Sequence, residues 1–193
     1  MTKTTRILAA AATALLAGVA LTGCTINLGS TSGEHDMGMM DENNGGYTAD
    51  DIMFMQMMIP HHQQAVDMGT LAETRASNPK VKALAAQIKK EQAPEIAEMK
   101  QWLKDAGAGM TMNHSMTMSG MLTEAEMTKL ENSTGAEFDR LYLEGMIGHH
   151  EGAIEMAKMV IDSNTANTHA LGHAINDSQT KQIAYMKELL AKL

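Results

Sequence analysis

The sequence predicts an all-α protein, a four-helix bundle made of two repeated helical hairpins with a short helix in the crossover. Three observations predict it. Apolar residues recur every three or four positions along four long stretches, which is helical spacing. The breaks between stretches carry cap and proline signals. The two halves also match each other. Met58 to Met68 aligns with Met146 to Met156 at one offset, and Leu84, Ile88, Gln92, Ile96, Met99 and Leu103 align with Leu171, Ile175, Gln179, Ile183, Met186 and Leu190 at an offset one residue shorter. A hairpin of two amphipathic helices cannot bury its apolar face alone, so two of them pack together.

Residues 1–23 read as a lipoprotein signal peptide. Lys3 and Arg6 make a basic start, Ile7 to Leu21 is apolar and rich in small residues, and Leu21-Thr-Gly-Cys24 ends it like a lipobox. Cys24 is the only cysteine of the chain. It is the expected lipidation site, which rules out an internal disulfide and a cysteine metal site. Residues 24–47, rich in Gly, Ser and Asn, read as a flexible tether to the membrane. The bundle domain is expected over 48–193.

Repeat one spans about 48–108. Thr48 is its N-cap, with Asp50 and Asp51 in the first turn, where acidic groups complement the helix dipole. Ile52, Met55, Ile59, His62, Val66 and Gly69 form the stripe of a helix running to about Ser77 and bent at Pro60. Asn78-Pro79 restarts a helix whose stripe is Val81, Leu84, Ile88, Ile96, Met99 and Leu103, interrupted at Pro94 and stopped by Gly107 and Gly109. The crossover, 109–122, is a loop. Thr123-Glu-Ala-Glu126 is a capping box for a short helix ending near Asn132. Repeat two spans about 135–193, with one helix expected from Gly135 to Asn164 and a last one from Asn167 to Lys192.

Composition narrows the chemistry. The chain has 193 residues, 23 acidic against 15 basic, and a formal net charge of −8. No basic patch is available for nucleic acid. One tryptophan, three tyrosines and two phenylalanines leave the core to Ala, Leu, Ile and Met, yet the 20 methionines exceed what a core of this size needs.

The candidate ligands fall into groups. His61 and His62 follow Met58, and His149 and His150 follow Met146 in the matching place. Met58 and His62 lie on one helix face, as do Met146 and His150. Met57, His61 and Met68 form a weaker row, with His149 and Met156 as its counterpart. Across a pseudo-twofold axis, Met58, His62, Met146 and His150 can converge. Hydrogen-bonded core histidines with Met as filler are the competing reading. The crossover alternates Met110, Met112, His114, Met116 and Met118 with small polar residues, where no packed interior explains them. Accessible thioethers suit Cu(I) or Ag(I), and imidazole also accepts Cu(II). His35, Met37, Met39 and Met40 repeat that chemistry more weakly in the tether, and His169 and His173 make a four-apart pair near the start of the last helix. No Glu precedes a histidine by three, so the di-iron pattern of some bundles is missing. No nucleophile, acid and base are linked by a motif either, and binding is expected rather than catalysis.

Met58-Ile-Pro-His-His and Met146-Ile-Gly-His-His, with Ala and Met following, and Met99-Lys-Gln-Trp-Leu103 after Gln92 and Ile96, resemble the family labelled domain of unknown function 305 (DUF305). The resemblance covers about Asp50 to Leu193. It implies a ferritin-like bundle, exported and often Met- and His-rich, with CopM-like copper-binding proteins of copper resistance among its members. Carried over, it favours His61, His62, His149 and His150 with Met58 and Met146 as ligands. The function expected is an extracytoplasmic lipoprotein binding copper, Cu(I) first and Cu(II) or Ag(I) besides, for sequestration, tolerance or delivery. A copper exporter, chaperone or oxidase is the expected kind of partner. A methionine-based oxidant sink, a structural surface bundle without metal and a metal oxidoreductase are the alternatives.

Overall fold

The computed structural model describes residues 44–111 and 118–193. Five helices follow in order: α1 (Ala49–Arg75), α2 (Pro79–Asp105), α3 (Glu124–Asn132), α4 (Gly135–Ala157) and α5 (Ala166–Leu190). No strand occurs among the described residues beyond one isolated bridge, Ala76 to Gly135. Helices α1 and α2 pack as one hairpin, and α4 and α5 as the other. The main seam between the hairpins is α1 against α4, whereas α2 and α5 barely touch. Residues 1–43, over which the signal peptide and most of the tether are expected, and Met112 to Thr117 lie outside the described residues, and so do the candidates Cys24, His35, Met37, Met39, Met40, Met112, His114 and Met116.

Local chemistry sets the ends of the helices. The Thr48 side chain accepts from the Asp51 N–H, and the Asp51 carboxylate accepts from the Thr48 N–H, a capping box at the start of α1. Thr123 and Glu126 do the same for α3. The helices continue through Pro60 and Pro94, since both α1 and α2 are unbroken.

Two ends differ from expectation. Helix α1 stops at Arg75 rather than Ser77, because the Ser77 and Asn78 N–H groups donate to the buried Asp139 carboxylate (3.1 and 2.8 Å). Helix α4 stops at Ala157 rather than near Asn164. Lys158, Met159 and Val160 there donate to carbonyls three residues back, a tightening that unwinds the helix while keeping Val160 buried against Gly172. Beyond it, Ser163, Thr165 and Thr168 all donate to the Asp51 carboxylate (2.8, 2.7 and 2.5 Å). Asp51 and Asp139 are themselves a repeat pair, so each hairpin's first helix holds the start of the other hairpin's second helix. Burial alone would raise the Asp51 pKa, and the bonds from Thr168, Thr165 and Thr48 together pull it below the usual carboxylate range.

The core is two apolar clusters. One gathers Phe54, Met58, Met99, Leu103, Ala153 and Leu171, and the other Met68, Val81, Ile88, Phe138, Met146 and Met186. On every long helix the residues separating the clusters are polar and buried: His61 and His62 on α1, Gln92 on α2, His149 and His150 on α4, Gln179 and Gln182 on α5. In the last helix Leu189 and Gln182 are buried, while Ile183 and Leu190, expected on the stripe, are only half-buried.

Candidate metal centre

Adjacent residues on a helix point about 100° apart, so each His-His pair divides its work. His61 and His149 face the α1–α4 seam, and their rings meet there with centroids 3.8 Å apart and planes tilted by 37°. His62 and His150 turn to the second helix of their own hairpin. The ring pair that meets across the seam is therefore not the one expected from the shared faces with Met58 and Met146. Those two methionines are fully buried but belong to opposite apolar clusters, one on each side of the histidine layer.

All four imidazoles are fully buried, and each bonds through Nε2. His61 Nε2 donates to the Ser119 carbonyl at 3.1 Å, and His149 Nε2 to the His61 carbonyl at 2.9 Å. His62 Nε2 donates to Glu95 Oε2 at 2.9 Å. His150 Nε2 donates to Gln182 Oε1 at 2.7 Å, and Gln182 Nε2 in turn donates to Glu91 Oε2 at 2.6 Å. Carbonyl and carboxylate oxygens have no proton to give, so Nε2 carries the hydrogen in all four rings. Each Nδ1 is then a bare lone pair, and none has a hydrogen-bond partner among the described residues. Metal-binding histidines share this arrangement, in which one ring nitrogen donates to an oxygen and the other stays basic and free.

Electrostatics favours the neutral form, the form that binds metal, in three of the rings. Burial, with the neighbouring His62 and His150 and against the bond to Ser119, drives the His61 pKa down to about 3. Burial lowers His150 to about 4 despite the bond to Gln182. It also holds His149 well below the ordinary value, with the other three histidines adding to the effect. Among the described residues, no group of three or more His, Cys, Asp or Glu side chains is placed to hold an ion.

The remaining candidates separate by environment. Met57, Met68 and Met156 are buried core residues. Met110 is 46% exposed, so no packing role accounts for it. Met118 is half-buried and packs against the first core cluster. His169 and His173 are exposed on α5.

From Met118 the chain runs over the α1–α4 seam as a strap. Gln64 clamps it by donating to the Leu122 carbonyl at 2.9 Å and accepting the Leu122 N–H at 2.8 Å. The strap lies so close to α4 that a Cβ on Gly152 would overlap the Ser119 carbonyl, and Gly120 takes the left-handed conformation (φ +81°). Sequence reasoning missed Glu95, Gln182, Glu91, Gln64 and Gly152. Glu95 and Gln182 occupy matching repeat positions and carried a signal: each is a polar residue three after a buried Gln.

A family model, Domain of unknown function (DUF305), matches residues 51–190. The chain belongs to the DUF305 family. Solved structures of DUF305 proteins share the fold. One from Streptomyces coelicolor, named as a secreted protein, is 32% identical with a TM-score of 0.71 and covers 74% of this chain and 93% of its own. A DUF305 fragment from Deinococcus radiodurans is 28% identical with a TM-score of 0.69, covering 76% and 98%. CopM in its Cu(I)-bound form is 31% identical with a TM-score of 0.63, covering 74% and 96%. CopM structures with Cu(II) and with silver are similar to this chain at 32% and 30% identity. No curated protein matches the chain. No described helix is long and apolar enough to cross a membrane.

Proposed function

We propose that this DUF305 protein binds Cu(I), with Ag(I) as a mimic and Cu(II) as a further cargo, on the outer side of the cytoplasmic membrane, tethered by lipid at Cys24. The carrying observation is the layer of four buried histidines whose Nε2 hydrogens are committed to oxygen acceptors, leaving four buried Nδ1 atoms without a partner. Leaving one buried polar atom unpaired costs about 1–3 kcal/mol, so a scaffold that does this at four matching places gains from a ligand that takes them up. Met58 and Met146, buried on either side of the layer, are the nearest soft donors in sequence to these rings. The likeness to CopM, solved with Cu(I), Cu(II) and silver, supports the same reading.

The Met110, Met112, His114, Met116 and Met118 segment would capture ions at the surface, and the bundle would hold them. The task is sequestration, tolerance or handover to a copper exporter, chaperone or oxidase, with no turnover of substrate. Titrating the mature protein with Cu(I) against a competing chelator tests the proposal. Competition at micromolar free copper or tighter is the expected result, on the order of the −8 kcal/mol that a micromolar affinity represents. Failure to compete there overturns it. Changing Met110, Met112, Met116 and Met118 to Leu should lower the Cu(I) stoichiometry with the helical content unchanged. An unchanged stoichiometry would remove the loop from the ligand set.

A further inference from the structure

We propose that His169 and His173 form a surface chelate for a divalent ion, Cu(II) foremost, separate from the buried layer and independent of whether that layer binds Cu(I). The two residues are four apart on α5, which places them on one helix face, and their rings already meet edge to face with centroids 4.6 Å apart at 69°. Both are exposed. Burial therefore does not explain them, and their rings can rotate to bring one nitrogen each to a common ion. The matching positions of the first hairpin hold Lys82 and Ala86, also exposed, so the bundle's packing does not call for histidine at either place.

The donor set decides the ion. No Met or Cys lies within a turn of either histidine along α5; the intervening residues are Ala170, Leu171 and Gly172. Two imidazoles with the remaining positions open to water suit a borderline divalent ion and give a soft monovalent one no sulfur. With so few protein ligands, selection follows the intrinsic affinity order, in which Cu(II) stands above Ni(II) and Zn(II). Asp177, a further four residues along and exposed, adds negative charge one turn on, its Oδ1 accepting from Asn176 Nδ2 at 3.3 Å. The positive end of the α5 dipole works against a cation at His169, an effect that solvent screens at an exposed site. The helix offsets it by fixing the spacing of the two rings before the ion arrives, so little orientational freedom is lost on chelation.

The pair is close only while α5 is helical, so Cu(II) should stabilise the folded chain as any ligand of the native state does. The test is Cu(II) titration of the full chain followed by electron paramagnetic resonance, together with a thermal melt. It is run on wild type, on the double variant H169Q/H173Q, and on a register variant that pairs H173A with A174H. The wild type should bind one more Cu(II) equivalent than the double variant, with coupling to two nitrogens, and show a Cu(II)-dependent rise in Tm. The double variant should lose that equivalent and the rise. The register variant keeps two histidines but sets them five apart, off a common face, and should weaken Cu(II) at least tenfold. Circular dichroism confirms that each variant is folded. Cu(I) competition should be unchanged in all three, so failure of the surface pair and failure of the buried layer are read on different ions. An unchanged Cu(II) signal and melt in the double variant overturn the proposal. An equal loss of Cu(I) and Cu(II) overturns the separation of the two sites.

Discussion

The two hairpins solve the same problem at the histidine layer with different groups. In the first, His62 donates to the carboxylate of Glu95. In the second, His150 donates to the amide oxygen of Gln182 at the matching position, and Gln182 passes the chain of bonds on to Glu91. What the repeats share is an acceptor for Nε2–H. What they do not share is its charge. A second difference lies at the seam, where Gln64 of α1 clamps the strap and its counterpart, Gly152 of α4, leaves room for it. A symmetric bundle has one crossover to place, and this pair of substitutions decides the side on which it lies. The shared features therefore mark what the layer needs, and the differences mark the route of the chain and the polarity near each histidine.

The largest effect tests what the hairpins share. His61 and His150 have folded pKa values of about 3 and about 4 against 6.5 unfolded, so both lie below the unfolded value. Above pH 6.5 both states are neutral and the layer costs nothing in protons. As pH falls below that value the unfolded chain takes up protons that the folded one refuses, and stability drops by about 1.4 kcal/mol per histidine per pH unit. Urea melts at pH 7 and pH 5 should differ by several kcal/mol. A flat profile would mean that the histidines are not buried as neutral rings.

Next come the crossed carboxylates. Asp51→Ala and Asp139→Ala each remove an acceptor shared by three donor groups of the other hairpin, and each should cost on the order of 3 kcal/mol in urea denaturation. A small effect from either would break the claim that the repeats lock each other. Gly152→Ala forces the strap off α4 and should cost about 2 kcal/mol; Gln64→Ala, which removes the clamp but adds no clash, should cost less. If Gly152→Ala is neutral, the strap does not lie where α4 needs a glycine.

The smallest effect is the sharpest for the comparison. Glu95→Gln gives the first hairpin the acceptor type of the second and should change stability by less than about 1 kcal/mol, whereas Glu95→Leu strands the His62 Nε2–H at about 1–3 kcal/mol. Equal costs for the two would show that charge, not acceptance, is what the position supplies.

The sequence carried most of this fold because its signals are local. The stripes, the Thr48 and Thr123 capping boxes and the Asn78-Pro79 restart need only neighbours within a turn, and the repeat reveals how the hairpins pair. The site was harder to read. Two adjacent histidines differ by a rotation that depends on where the partner helices lie, so sequence alone could not tell that His61 and His149, rather than His62 and His150, meet at the seam. Asp51 reads locally as a first-turn acid complementing the helix dipole, and its bonds to Thr165 and Thr168 span more than a hundred residues of chain. The early end of α4 has the same origin, since Ser163 is drawn to Asp51 by a contact that no local pattern announces.

The most direct test of the central claim is a long-range proton–nitrogen correlation spectrum of the histidine side chains, recorded on labelled protein before and after Ag(I), a diamagnetic stand-in for Cu(I). Four rings should show Nε2–H tautomers without metal, and on adding Ag(I) their Nδ1 resonances should move while Nε2 stays protonated. Nδ1 signals of His61, His62, His149 and His150 that stay fixed while Ag(I) binds elsewhere would contradict the account.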